Sequence, residues 1–346
     1  MLNRFLLFMT AICLGTLLLR LHVPIPFLLG GLITALACKT AGRHICLTWP
    51  KKWREYALMV AGYSIGAKFT ADTWYNFLAE LSGVIEATLV IMAVSLVLAF
   101  ITAKIFKENL KSCIIGMLPG GMTLSMLLCE EDKEVNPNAV MVMQVVRLLG
   151  VVISVPFLVV WVLHARVLEN SLILNNTAGM SWLICIPLAV LGSFIATKIH
   201  IPTPKLLGSI IATALFSMFV GDVQSVPFFI MASAQVSIGL FMGIQLDTDK
   251  IIKTRKMLPF IIFSTAILIT VSVFMANILS ARYGFSLITA FLAMAPGGIA
   301  EMSLVGISMN ENVSVILTYQ LVRVLAINLF IPPLLGFWFK NKNAKV

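Results

Sequence analysis

The chain has 346 residues, 60% of them hydrophobic and 12% charged, with a formal net charge of +10 and a mean hydropathy of +0.99. A soluble domain is nearer half apolar and a quarter charged, so that class is excluded. Lipid offers the backbone no hydrogen bonds, which leaves helices or a closed barrel, and apolar runs without two-residue alternation exclude the barrel.

What remains is an all-α polytopic membrane protein, and its predicted elements follow in chain order. Segment 3–21 has the basic flank of a signal peptide. No small-x-small cleavage site precedes the next apolar run, so it reads as a retained span. Segment 25–41 opens on VPIPFLLGGLITA (23–35), and 55–71 carries GYSIGAKFTAD (62–72). After the long run 79–106 comes 112–129, interrupted by Pro-Gly-Gly at 119–121, and then 138–164 with QVVRLLGVVISVP (144–156). The remaining segments are 180–199, 204–221, 227–247, 258–281, 285–308 and 312–339, and they repeat the first series. IPTPKLLGSIIATA (201–214), GLFMGIQLDTD (239–249), a second Pro-Gly-Gly (296–298) and QLVRVLAINLFIP (320–332) stand 176 to 178 residues after their counterparts. The chain is a duplication, with repeats 1–170 and 171–346.

If both Pro-Gly-Gly segments cross the membrane, the halves run parallel. If they only dip in, each half has five crossings and the second is inverted. The inverted arrangement gathers Lys133, Lys198, Lys205, Lys250, Lys253, Arg255 and Lys256 on the side of Arg4, as cytoplasmic loops require, and gives up only Arg166 and Arg282. We therefore expect two inverted repeats of about five transmembrane helices, each with one broken or re-entrant segment, and both termini cytoplasmic. The positive charge belongs to those loops, so no nucleic-acid partner is expected; the lipid bilayer is the partner, and a homo-oligomer is compatible. The six cysteines show no C-x-x-C pair and no metal spacing.

Proline removes a backbone donor and glycine tolerates strained turns, so each Pro-Gly-Gly ends one half-helix and starts another, at Met122 or Ile299. Irregular backbone at membrane depth survives only inside protein or beside a cavity, and paired interruptions in two halves point to a transporter's midplane site. Gly120, Gly121, Gly297 and Gly298 supply the turns. Gln144 and Arg147 lie on one helix face, and Gln320 and Arg323 repeat the pair. A planar guanidinium grips a carboxylate or phosphate with two bonds. Two such arginines favour an anionic solute, with the glutamines adding hydrogen bonds; the alternative is that each arginine is a strut capping carbonyls of a broken helix. Glu301 is the one acid inside a Pro-Gly-Gly segment, its counterpart being Leu124. It would couple a proton or sodium ion, or pair with Arg323 or Arg147.

The PGG at 119–121, the PGGIAEM beginning at Pro296, and the two Q-x-x-R pairs resemble the membrane AbrB family over essentially the whole chain. The first motif departs from the family's pattern at Leu124, where an acid follows the glycines. The resemblance implies a multi-pass bacterial inner-membrane protein. It also brings two labels, a transcriptional regulator and an ammonia monooxygenase. A DNA-binding regulator needs a soluble basic domain, and the longest hydrophilic stretch here is too short for one. A monooxygenase needs clustered metal ligands, and the four histidines form no H-x-H or H-x-x-H. The expectation is therefore no enzyme, no catalytic residue, no metal and no cofactor. The function expected is a secondary transporter or exporter of a small anionic solute by alternating access. The alternatives are a membrane-bound regulatory or accessory protein and, less favoured, a membrane monooxygenase, which bound copper or iron would reveal.

Overall fold

A computed structural model of the chain describes residues 2–41, 48–69, 72–120, 125, 128–130, 134–164, 181–199, 201, 203–220, 226–245, 250–251 and 254–343. Gly121, Met122 and Leu124 lie outside them. Every regular element among the described residues is an α-helix: α1 (Leu2–Arg20), α2 (Pro26–Ala41), α3 (Lys51–Gly66), α4 (Asp72–Phe106), α5 (Leu110–Met117), α6 (Pro137–Trp161), α7 (Ser181–Lys198), α8 (Pro204–Val220), α9 (Phe228–Gln245), α10 (Leu258–Tyr283), α11 (Leu287–Met294), α12 (Ile299–Ser308) and α13 (Val313–Asn343). Two starts differ from the apolar reading. α3 begins at Lys51, directly after Pro50, and α4 at Asp72, because a polar first turn is helical without being apolar. The segment predicted at 285–308 is two helices, α11 and α12, with residues 295–298 between them.

Helix ends recur at matched places in the chain. α2 and α8 both begin on a proline, where the missing N–H has no intrahelical partner to lose. The residue before each, Ile25 and Thr203, has φ +45° in both cases, a left-handed conformation that is unusual for β-branched side chains. α4 is followed by Lys107 at φ +55°, and α10 by Gly284 at φ +73°, whose N–H closes onto the Ser280 carbonyl at 2.9 Å. Side chains cap the two half-helices that enter the interruptions. Asn109 accepts from the Lys111 N–H before α5, and Ser286 from the Thr289 N–H before α11.

Five stretches are long and apolar enough to cross a membrane: Ala79–Phe106, Pro137–Trp161, Phe228–Gln245, Leu258–Tyr283 and Val313–Pro333. They are compatible with a multi-pass membrane protein. Pro26–Thr40, Ile186–Lys198, Pro204–Phe219 and Ile299–Ser308 are shorter apolar helices. The ten crossings expected from the sequence thus have five counterparts of spanning length among the described residues.

Two compact units form, and each draws on both halves of the chain. The first comprises Met1–Leu78, Ile153–Leu246 and Ala300–Ile316; the second comprises Ala79–Val152, Asp247–Ile299 and Leu317–Val346. In the first unit, α9 crosses α2 so closely that a Cβ on Gly239 would stand 2.1 Å from the Leu28 carbonyl oxygen. α3 crosses α8 in the same way, with a Cβ on Gly62 falling 2.6 Å from the Leu206 oxygen. Small residues permit such approach, and packing then replaces the hydrophobic drive that lipid does not supply. The pairings are reciprocal: the Gly-xxx-Gly helix of each half lies on the Pro-x-Pro helix of the other. In the second unit, Ala99 of α4, Ile114 and Met117 of α5, Val140 and Met143 of α6, Ile261 of α10 and Ile327 of α13 share one core.

Candidate functional site

Both interruptions are built within the second unit, and in the same way. α5 ends at Met117; Leu118 turns extended (φ −68°, ψ 132°) and its N–H reaches back to Ile114. Pro119 has no N–H, and the Gly120 N–H folds onto the Leu118 carbonyl at 2.8 Å. α11 ends at Met294; Ala295 is extended (φ −52°, ψ 135°), and the Gly297 N–H folds onto its carbonyl at 2.8 Å. Each is a three-residue turn centred on the proline. Gly120 also sits where a Cβ would meet Ile327 Cγ2 at 2.8 Å. Gly298 follows directly before α12.

A helix that stops in an apolar interior leaves its last carbonyls without partners and its dipole's negative end uncompensated. The Q-x-x-R pairs answer both needs. On α6, Arg147 Nη1 donates to the carbonyls of Gly116 (3.3 Å) and Met117 (2.8 Å), and Gln144 Nε2 donates to the Ile115 carbonyl (3.0 Å) and to Ser125 Oγ. On α13, Arg323 Nη1 donates to Met294 and Ala295, both at 3.0 Å, while its Nη2 donates to Gly297 (3.3 Å) and to Gln320 Oε1. Gln320 Nε2 donates to Leu292 (2.9 Å) and Ala295 (3.0 Å). The structure thus brings Gly120, Gln144 and Arg147 to one break, and Gly297, Gln320 and Arg323 to the other.

Both guanidiniums are buried, Arg147 at 6% exposure and Arg323 at 2%. Arg147 is close enough for its charge to act on Arg323, and among the described residues no carboxylate acts on either. Nε of each donates to no partner. A buried charge without a counter-charge is costly, and carbonyl dipoles offset part of that cost. Two buried cations that keep a donor each are chemically suited to an anion.

Glu301 is buried at 7% exposure in the first turn of α12, within the first unit. The charge that acts on it is neither Arg147 nor Arg323 but Arg54, in the first turn of α3. The Arg54 guanidinium lies 4.7 Å from the Phe241 ring centroid. Arg54 escapes the sequence reading because it sits in KKWRE, which looks like a basic loop flank. Ser125 and Ser272 escape it too: each bonds at a break, Ser125 to Gln144 and Ser272 to the Met294 carbonyl at 3.2 Å, yet a serine in an apolar run carries no motif. Glu80, a second buried acid, was hidden in the polar start of α4.

A sequence profile described as "Transition state regulatory protein AbrB" matches residues 27–339. The "Uncharacterized protein YhjN" of Bacillus subtilis (strain 168) is 24% identical over 306 residues, covering 82% of this chain and 78% of its own length. The "Putative regulator AbrB" of Escherichia coli (strain K12) is 22% identical over 321 residues, covering 92% of this chain and 91% of its own.

Proposed function

The chain belongs to the AbrB family, and on that premise we propose that it is an inner-membrane secondary transporter or exporter of a small anionic solute. The observation that carries this reading is the pair of buried arginines at two proline-glycine breaks, each with an Nε that has no partner and without a salt-bridged carboxylate among the described residues. Once each arginine compensates the negative end of a half-helix, the positive charge left over favours an anion. The solute site takes Gly120, Gly121, Gln144, Arg147, Gly297, Gly298, Gln320 and Arg323. Arg147 and Arg323 then serve as strut and anion contact together. In this reading the Pro-Gly-Gly segments re-enter, the repeats are inverted, both termini are cytoplasmic, and access alternates between the two faces. Glu301 couples a proton or sodium ion, with Arg54 as its counter-charge. No enzymatic step and no cofactor enter the scheme.

The test is uptake into liposomes holding the purified chain, with a panel of small organic anions and amino acids. Flux of at least one solute, lost in Arg147→Lys although the protein stays folded, supports the reading. Lysine keeps the charge but not the planar fork. Flux of Glu301→Gln that no longer responds to a proton or sodium gradient supports the coupling role. A second reading, a membrane-bound regulatory or accessory protein, is favoured by the name of the Escherichia coli relative. No flux with any solute, together with loss of a cellular phenotype on removing a partner protein, selects that reading instead.

A further inference from the structure

Matched polar groups at the two breaks are not equally satisfied. Gln320 Oε1 accepts from Arg323 Nη2, whereas Gln144 Oε1 accepts from no group. The carbonyl of Ile115 can only accept, which places the Gln144 amide nitrogen on that side and leaves Oε1 facing elsewhere. Ser272 Oγ reaches the carbonyls of Leu268 (2.8 Å) and Met294 (3.2 Å). Ser95, which stands 177 residues earlier in the same Val-Ser sequence, is 0% exposed, and its hydroxyl has no partner. Met92, Leu96 and Ala99 on the same stretch of α4 pack into the core with Cys113, Met117 and Met143, so Ser95 lies on the stretch of α4 that meets α5 and α6. On α6, Arg147 keeps Nε without a partner. At the second break, Arg323 Nε is the one member of the matched set left in that state. The unpartnered oxygens of Tyr319 and Asn328 stand where α6 has Met143 and Val152, and so belong to no matched pair.

A buried polar atom without a partner is costly unless a ligand supplies the partner. The elements around the first break carry three such atoms, and two of their three counterparts at the second are bonded. We propose that the solute is held at the first break, by Arg147, Gln144 and Ser95, and that it is a small carboxylate carrying a hydrogen-bond donor of its own, a hydroxyl or an ammonium group. The guanidinium takes the carboxylate, the Ser95 hydroxyl bonds either part, and Gln144 Oε1, which can only accept, requires the donor. This deepens the anion-site reading and rests on it; the second break becomes a braced counterpart rather than a second half of the site.

Isothermal titration of the purified full chain with glycolate, glycine and acetate tests the class. Glycolate or glycine should bind at least about tenfold more tightly than acetate, the equivalent of one hydrogen bond in a buried site. Ser95→Ala should remove most of that advantage, while Ser272→Ala should leave affinity within about twofold. Ser95→Ala deletes a group that holds nothing in place, so its folding is not at risk. Acetate binding as tightly as the other two, no heat with any of the three, or equal losses in Ser95→Ala and Ser272→Ala would overturn the inference. Binding without flux in liposomes sinks the transporter reading and leaves this one standing. Flux of these solutes that ignores Ser95→Ala does the reverse.

Discussion

The two Pro-Gly-Gly breaks share a turn, a proline, a capping arginine and a glutamine, yet they are wired differently. At the second, Arg323 and Gln320 direct every bond at residues 292–297 and at each other, so the turn is braced from one side. At the first, Gln144 reaches both Ile115 before the break and Ser125 after it, so the helix ending there and the residues following it are tied through a third helix. The cause lies in the neighbours rather than the motif. At an offset of 177, Ser125 corresponds in sequence to Met302 and Leu124 to Glu301, so the second half has no hydroxyl at the place of Ser125 and gains an acid. A duplicated motif does not carry a duplicated network with it. The shared residues set the backbone, and the unshared ones decide what is left over to meet a ligand.

The contrast can be broken most forcefully at the arginines. Arg323→Ala removes bonds to three carbonyls and one amide oxygen and should lose about 4 kcal/mol of stability, against about 2 kcal/mol for Arg147→Ala, as charge-assisted bonds in an apolar interior go. Denaturant or heat unfolding in detergent measures both, and equal losses would erase the distinction. Gly120→Ala comes next, since its Cβ meets Ile327 Cγ2 at 2.8 Å; overpacking of this kind costs about 1–2 kcal/mol. The double variant with Ile327→Ala should not suffer that clash, and its cost should therefore fall below the sum of the single ones. The serines give the smallest and sharpest test. Ser272→Ala should cost about 0.6–1 kcal/mol, in line with hydrogen bonds between membrane helices. Ser95→Ala should cost about nothing, or stabilise slightly, because removing a buried unsatisfied hydroxyl relieves a penalty. A loss at Ser95 equal to that at Ser272 would mean that the two breaks are bonded alike.

Much of this was legible in the sequence because it is encoded locally. Apolar runs placed the helices within a few residues, and Pro296-Gly297-Gly298 marked where α11 and α12 part. The three-residue spacing of Gln144 and Arg147 put both on the face that meets α5. The Gly-xxx-Gly spacing of Gly62 and Gly66, repeated at Gly239 and Gly243, suits a close helix crossing but does not say with which helix. What stayed hidden depends on neighbours distant in the chain. Nothing near Arg54 indicates that its charge falls on Glu301, almost 250 residues away. Ser95 and Ser272 each follow a valine in an apolar span, yet Ser272 bonds the carbonyls of Leu268 and Met294 while the Ser95 hydroxyl bonds neither its own helix nor a neighbour. The division into compact units was equally out of reach, since a boundary that passes through α4, α6 and α13 leaves no trace in composition.

The reciprocal crossings of α2 with α9 and α3 with α8 set an order of events during synthesis. When α3 emerges, the helix that its glycines fit is about 140 residues from being made, so Gly62 and Gly66 face lipid or temporary neighbours until Pro204–Val220 arrives. α2 waits longer still, for Phe228–Gln245. The first unit therefore closes only after most of the chain has been made, and a chain cut at the middle leaves each half with a glycine face and a proline-led helix that the other half matches. Two separately made halves should reassociate through those faces.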